Sequence, residues 1–312
     1  MLLMAIYVQL LVLSLTLIWF IAAKRRSLAD LSLKFAAITI LLIGLWLGSV
    51  WVYPPYWGFA LITFVFLCVA LWKAKRPDKK THSIGSWLSN VPVPFIITLG
   101  AYLGLNGFVG RGQNPDGQII DLVSPFAAED RACVLSGGLN SLLNQHNFES
   151  NSAGDYAQLY GLDFMGFGTN GFRTHPGYRL NPKPDDYKAY VIFGVPLHAP
   201  CDGIVVWSEN NKPEQVIGTA DKEQTSGNGV ILACADVHVK LSHMKKGSVL
   251  VSKGETVQSR QALGRVGNSG NTEEPHLHIH AETIVEEGNP WVHGEPVHMR
   301  FNGQLLARGD CL

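Results

Sequence analysis

Gly264-Arg265-Val266-Gly267-Asn268-Ser269-Gly270-Asn271-Thr272-Glu273-Glu274-Pro275-His276-Leu277-His278-Ile279-His280-Ala281-Glu282 reads as a strand end, a Gly/Asn turn and a second strand. In the second strand His276, His278 and His280 alternate with Leu277 and Ile279. Strand side chains point alternately to opposite faces, so the three imidazoles share one face and the two aliphatic residues the other. Imidazole is a zinc ligand and a general base near neutral pH. A polar, solvated strand face with no metal is the competing reading, and the rest of the chain decides between them.

Upstream, the chain continues in the same manner. Val195–Trp207 reads as strand, turn at Asp202-Gly203, strand; Gly227–Leu232 and His238–His243 read as a hairpin with Val239, Leu241 and His243 on one face; Gly247–Val266 reads as a tight meander. From Arg111 onward the composition is Gly, Asn, Asp and Ser with short apolar runs, the pattern of an antiparallel β domain with many turns. Gly166–Tyr190 and Ser208–Ser226 read as loops, the first long enough to wall a groove.

The first third differs. The chain has 312 residues, 47% hydrophobic and 16% charged, with zero formal charge. Residues 1–90 hold nine Lys/Arg and two Asp/Glu, a net of +7, and the remainder nets −7. An acidic C-terminal part argues against nucleic acid as a partner. Apolar runs at about 2–23, 35–52, 57–72 and 91–109 predict four transmembrane helices in a membrane region 1–110, with the lipid bilayer as partner. Tyr53-Pro54-Pro55-Tyr56 suits an interface, and Gly100 and Gly104 have a spacing that lets helices approach. Lys24-Arg25-Arg26 follow the first run, which argues against a signal peptide. With Lys34 they flank one basic loop, and Lys73, Lys75, Arg76, Lys79 and Lys80 fill another. The positive-inside rule places both loops in the cytoplasm, and with 91–109 spanning, residues 111–312 lie outside the cytoplasm at the plasma (inner) membrane.

Cys133, Cys201, Cys234 and Cys311 fall in the acidic domain and Cys68 in an apolar run. No Cys-x-x-Cys occurs, so a thiolate zinc site has no support. The four form two disulfides of unassigned pairing or remain buried thiols.

Leu241-Ser-His-Met-Lys-Lys-Gly-Ser-Val-Leu-Val-Ser-Lys-Gly-Glu-Thr-Val257, then Gln261–Asn271, then Pro275-His-Leu-His278, resembles the lysostaphin/LytM-type zinc metallopeptidases. Pro196–Val205 resembles that family's Pro-x-x-Ala-Pro-x-Asp-Gly-x-Val hairpin, and the likeness covers roughly 134–282. The resemblance implies an all-β antiparallel domain of the duplicated hybrid motif type behind the transmembrane helices, with one Zn²⁺ held by His146, Asp163 and His278. It implies His276 as general base and His243 as donor to the oxyanion, the order of those two roles remaining open. It further implies peptidoglycan peptides as substrate, cut by an endopeptidase. A non-catalytic LytM-like scaffold or regulator of cell-wall enzymes is the alternative. A lipoyl-like carrier is discounted because no suitable lysine sits at the hairpin turn.

Two departures stand out. The family spaces its first ligands His-x-x-x-Asp, whereas His146 and Asp163 are 17 apart. Asp155 competes with Asp163, which is preferred because it lies between Leu162 and Phe164. Leu241 and Met244 stand near His243 where the family more often has Tyr and Leu. His280 reads as a neighbour of the site or as groove lining, and His175, His198, His238, His293 and His298 as surface or structural residues.

Overall fold

The computed structural model describes residues 2–24, 26–49, 57–75, 88–147, 153–178, 185–223, 225–286, 289 and 292–312. The Tyr53–Tyr56 cluster, the basic residues Arg25, Arg76, Lys79 and Lys80, and part of the long loop before Tyr190 lie outside them. The chain separates into two compact units, Met1–Val109 and Gly110–Leu312.

The first unit holds α1 (Leu2–Ala22), α2 (Leu28–Gly48), α3 (Gly58–Ala74) and α4 (Pro92–Val109). Among the described residues, α2 and α4 are long and apolar enough to cross a membrane, with hydropathies of 2.0 and 1.5. The described apolar stretches of the other two, Ile6–Ala22 and Gly58–Ala74, are shorter. α2 begins well before the apolar run that predicts it. Ser27 caps it by accepting from the Asp30 N–H, and Asp30 pairs with Lys34 one turn on at 2.8 Å. Hydropathy alone misses a start built from polar residues that satisfy one another. α2 and α4 cross where glycine removes the side chain. A Cβ at Gly100 would lie 2.6 Å from Leu41 backbone, and one at Gly107 2.6 Å from Leu47. Gly104 has ordinary clearance, so the close approach belongs to Gly100 and Gly107 rather than to the Gly100/Gly104 pair.

The second unit is mostly β. Its strands among the described residues are β1 (Ile119–Leu122), β2 (Ala132–Ser136), β3 (Leu162–Gly166), β4 (Pro196–His198), β5 (Gly203–Glu209), β6 (Asn228–Cys234), β7 (Val237–Met244), β8 (Thr256–Val257), β9 (Ala262–Arg265), β10 (Leu277–Thr283), β11 (Pro296–Phe301) and β12 (Gln304–Leu305), and a short α-helix, α5 (Ala153–Ala157), lies between β2 and β3. The main sheet runs β1-β11-β10-β7-β6-β5-β8, with β3 also on β10 and β2 on β3. β6 and β7 form the expected hairpin. Two details depart from an all-antiparallel meander. β1 pairs with β11 in parallel. β4 and β5 flank the Asp202-Gly203 turn without pairing to each other, since β4 joins β9 in a separate two-stranded sheet. Pro196 and Pro200 on that arm have no N–H to give to a hairpin ladder.

β10 is interior, with β3 on one side of its first half and β7 on the other. Leu277, Ile279 and Ala281 face a core with Val239, Leu241, Val230, Leu232, Val134 and Phe164, all essentially inaccessible. This apolar face fixes the register, because a one-residue slip would turn every histidine of β10 into the core. The opposite face carries His278, His280 and Glu282 beside Ser242, Lys240 and His238 of β7. Cys133 pairs with Cys311 and Cys201 with Cys234; Cys68 is free and exposed.

Candidate metal centre

Asp163 sits on β3 directly opposite His278 of β10. Its neighbours Leu162 and Phe164 are buried in the core, so alternation turns the carboxylate to the polar face. Asp163 Oδ1 lies 2.9 Å from His278 Nδ1, and Oδ2 lies 3.0 Å from His146 Nε2. One atom from each of His146, Asp163 and His278 falls within 4.8 Å of the others. Tetrahedral zinc donors at about 2.0–2.2 Å from the ion stand roughly 3.4 Å apart, so two imidazoles and a carboxylate so placed fit a zinc ion and leave a fourth position open. Asp155, in contrast, is an exposed residue of α5 outside this cluster.

His146 comes from irregular backbone between β2 and α5, and Asn144 closes that connection. The wholly buried Asn144 amide donates to the carbonyls of Gly138, Leu159 and Gly161 at 3.2 Å each. Its Oδ1 accepts from the His146 N–H at 2.9 Å and from Ser136 Oγ at 3.3 Å. Both ends of the connection between His146 and Asp163 are therefore tied to one side chain. Gly161 completes the closure, since a Cβ there would lie 3.0 Å from His278 Cε1 and 3.4 Å from His146 Cδ2.

His243 reaches the site by a strained route. Alternation along β7 puts it on the core face with Val239 and Leu241, away from His278. Its φ of 63° breaks that alternation. The ring then lies 4.7 Å from that of His276 and 6.0 Å from that of His278, centroid to centroid. A left-handed non-glycine residue at such a place is a recurrent feature of functional sites. The turn is clamped from both sides. The His243 N–H donates to Ser226 O, and Ser269 Oγ donates to Met244 O.

His243 Nδ1 lies 2.9 Å from Ser269 O, and His276 Nδ1 lies 2.8 Å from Glu274 O. Carbonyls only accept, so both rings carry a hydrogen on Nδ1 and, when neutral, present a lone pair on Nε2. His276 Nε2 is 3.8 Å from Asp163 Oδ1, so that lone pair faces the cluster.

Burial and charge divide the protonation states. Burial opposes a charge on His146, but the facing Asp163 carboxylate outweighs it and raises that pKa. Burial also works against the Asp163 carboxylate, yet His146 and His278 hold its pKa well below the carboxylate range. Burial lowers His278 and, together with the neighbouring imidazoles, takes His243 well down. The site thus favours neutral His243 and His278 beside an ionised Asp163, whereas His146 holds a proton that a cation would have to displace.

Beneath β10 lies a polar cluster that sequence reading did not single out. Lys240 pairs with the inaccessible Glu282, whose other oxygen is 3.0 Å from His293 Nδ1. Polar residues recurring at every second position of both strands were the available signal. Of the histidines read as surface or structural, His238 is inaccessible, and His298 is buried with its ring 3.5 Å from that of Tyr160.

Residues 186–292 match the model of Peptidase family M23. The chain carries a peptidase family M23 domain. The matched M23 segment includes His243, His276, His278 and His280, while His146 and Asp163 lie before it. Among solved structures, a zinc-containing peptidase from Vibrio cholerae is 18% identical, over 50% of this chain and 35% of that one, with a TM-score of 0.30. The catalytic domain of lysostaphin from Staphylococcus simulans is 19% identical, over 41% and 70%, with a TM-score of 0.25. A complex of SpoIIIAH and SpoIIQ is 16% identical, over 52% and 92%, with a TM-score of 0.31. The M23-bearing chain thus spans about a third of the Vibrio peptidase's length. No curated protein matches it.

Proposed function

We propose that this M23 protein is a membrane-anchored zinc metalloendopeptidase acting on peptide bonds of peptidoglycan cross-links. The observation that carries the reading is the His146–Asp163–His278 cluster with His243 and His276 at its edge. In it, those three residues hold one zinc ion. Zinc supplies, when bound, an acidified water at near-neutral pH and a Lewis-acid contact for a carbonyl oxygen. His276 is the general base: its Nδ1–H is anchored on Glu274 O, leaving the Nε2 lone pair to take a proton. His243 serves the tetrahedral oxyanion. Because its Nδ1–H is committed to Ser269 O, it donates from Nε2 only when doubly protonated, a state that burial and the neighbouring imidazoles oppose and that the negative charge developing on the oxyanion favours.

Residues 1–110 form the membrane region with four spans in this reading, and 111–312 the extracytoplasmic peptidase domain, its core at about 134–282. α2 and α4 support spanning by length and composition. The basic residues of 24–34 and 73–80 support a cytoplasmic side for those loops, and the two disulfides suit an oxidising compartment. The non-catalytic scaffold reading is disfavoured because all five histidine and aspartate positions of the site are kept.

Two assays test the proposal. The purified full chain should contain one zinc per chain and release fragments from purified peptidoglycan, while His278→Ala should do neither. Near-zero zinc in both proteins would end the enzyme reading. A reporter fused after Gly110 should be active only outside the cytoplasm, and cytoplasmic activity would remove the cell-wall substrate.

A further inference from the structure

His278 Nε2 lies 2.8 Å from His280 Nδ1, both rings buried on the polar face of β10. The other nitrogen of His278 faces Asp163. His278 is thus held at both ring nitrogens, on one side by a carboxylate and on the other by an imidazole. A carboxylate can only accept, whereas an imidazole can donate or accept at Nδ1 according to its tautomer. That difference matters for a ligand that must change which nitrogen carries its hydrogen.

Resting on the zinc-site reading above, we infer that His280 is a positioning residue that lets His278 exchange tautomers as metal binds at Nδ1. Without metal, His278 Nδ1–H donates to Asp163 Oδ1, and His278 Nε2 accepts from His280 Nδ1–H. With Nδ1 given to a metal, the hydrogen of His278 stands on Nε2 and donates to His280 Nδ1, whose own hydrogen has moved to Nε2. The pair carries two ring hydrogens before and after, so no net charge is created in a buried place. His280 Nε2 is buried without a hydrogen-bond partner among the described residues, so no fixed donor or acceptor there locks the ring in one tautomer: Nε2 is a bare lone pair without metal and an undonated N–H with it. The ring is confined by its strand. Lys240 stands opposite it on β7, and the Lys240–Glu282 ion pair fills the next place on the same face.

The test uses the full chain in detergent, titrated with zinc against a chelator of known affinity. His280→Asn places an amide oxygen close to where Nδ1 sits and keeps an acceptor; His280→Leu keeps bulk and removes it. Zinc affinity should stay within about threefold of wild type for Asn and fall about 10–100-fold for Leu, the range for lost partners of metal-bound histidines. Equal affinity for Leu and wild type, or Asn as weak as Leu, overturns the inference. ¹⁵N-histidine spectra of the wild type give a second readout if the Leu variant does not fold. They should show His278 protonated at Nδ1 without zinc and at Nε2 with it; an unprotonated Nε2 in the loaded protein overturns the inference on its own. Wild type that binds no zinc removes the metallopeptidase reading and this inference with it.

Discussion

β10 and the connection between Ser136 and Leu162 deliver ligands to the same cluster by contrasting means. His278 rides on an interior strand whose position is set by an apolar face and by ladders to β3 and β7. His146 rides on irregular backbone whose position is set by one buried side chain, Asn144, and by a glycine that leaves room for two rings. The strand is over-determined, because many apolar contacts would have to fail before His278 moved. The connection is determined by few polar bonds, so single substitutions far from the chemistry should displace His146.

That contrast can be broken in order of expected size. The largest effect belongs to Asp163, the carboxylate shared by both halves. Asp163→Ala should abolish stoichiometric zinc and hydrolysis while the core keeps its fold, as read by metal analysis and circular dichroism. Asn144→Ala should come next. It strands three carbonyls and the His146 N–H, and each buried group left unpaired costs about 1–3 kcal/mol. Thermal unfolding should show a loss of at least about 4 kcal/mol with weakened zinc binding; unchanged zinc affinity would mean that His146 is placed by something else. A smaller effect comes from pH. The pKa of His146 is raised in the fold, so a proton competes for its Nε2 from above the ordinary value of 6.5 downward. Zinc affinity should therefore be about fourfold or more lower at pH 6 than at pH 8. In the metal-free protein the signs differ between groups. The raised His146 contributes stability that is present below 6.5 and lost as pH rises through its folded pKa. His243 and His278, lowered in the fold, do the reverse: stability falls as pH drops below about 6.5. The smallest effect is at Asp155. Exposed on α5, it should be replaceable by Asn with less than about a twofold change in zinc affinity, within the range of a screened surface charge.

The same contrast governs what was legible in the sequence. The histidine face of β10 could be read because a strand has a period of two, and Asp163 because Leu162 and Phe164 mark a core strand. The insertion could not be read, since Asn144 acts through carbonyls spread from Gly138 to Gly161 and has no periodic signature. His243 was named from its motif, but period alone places it on the wrong face, and only the left-handed backbone at that residue returns it to the site. Disulfide pairing and the parallel β1–β11 contact depend on long-range closure that local pattern does not encode. In the helical unit, the apolar runs were plain, whereas the true start of α2 lay in a capped and ion-paired turn that hydropathy does not see.

The most direct test is anomalous diffraction at the zinc edge from crystals of the zinc-loaded chain. One peak is predicted, at about 2.0–2.2 Å from His146 Nε2, a carboxylate oxygen of Asp163 and His278 Nδ1. A peak elsewhere, or none in a protein that still hydrolyses peptidoglycan, would contradict the assignment.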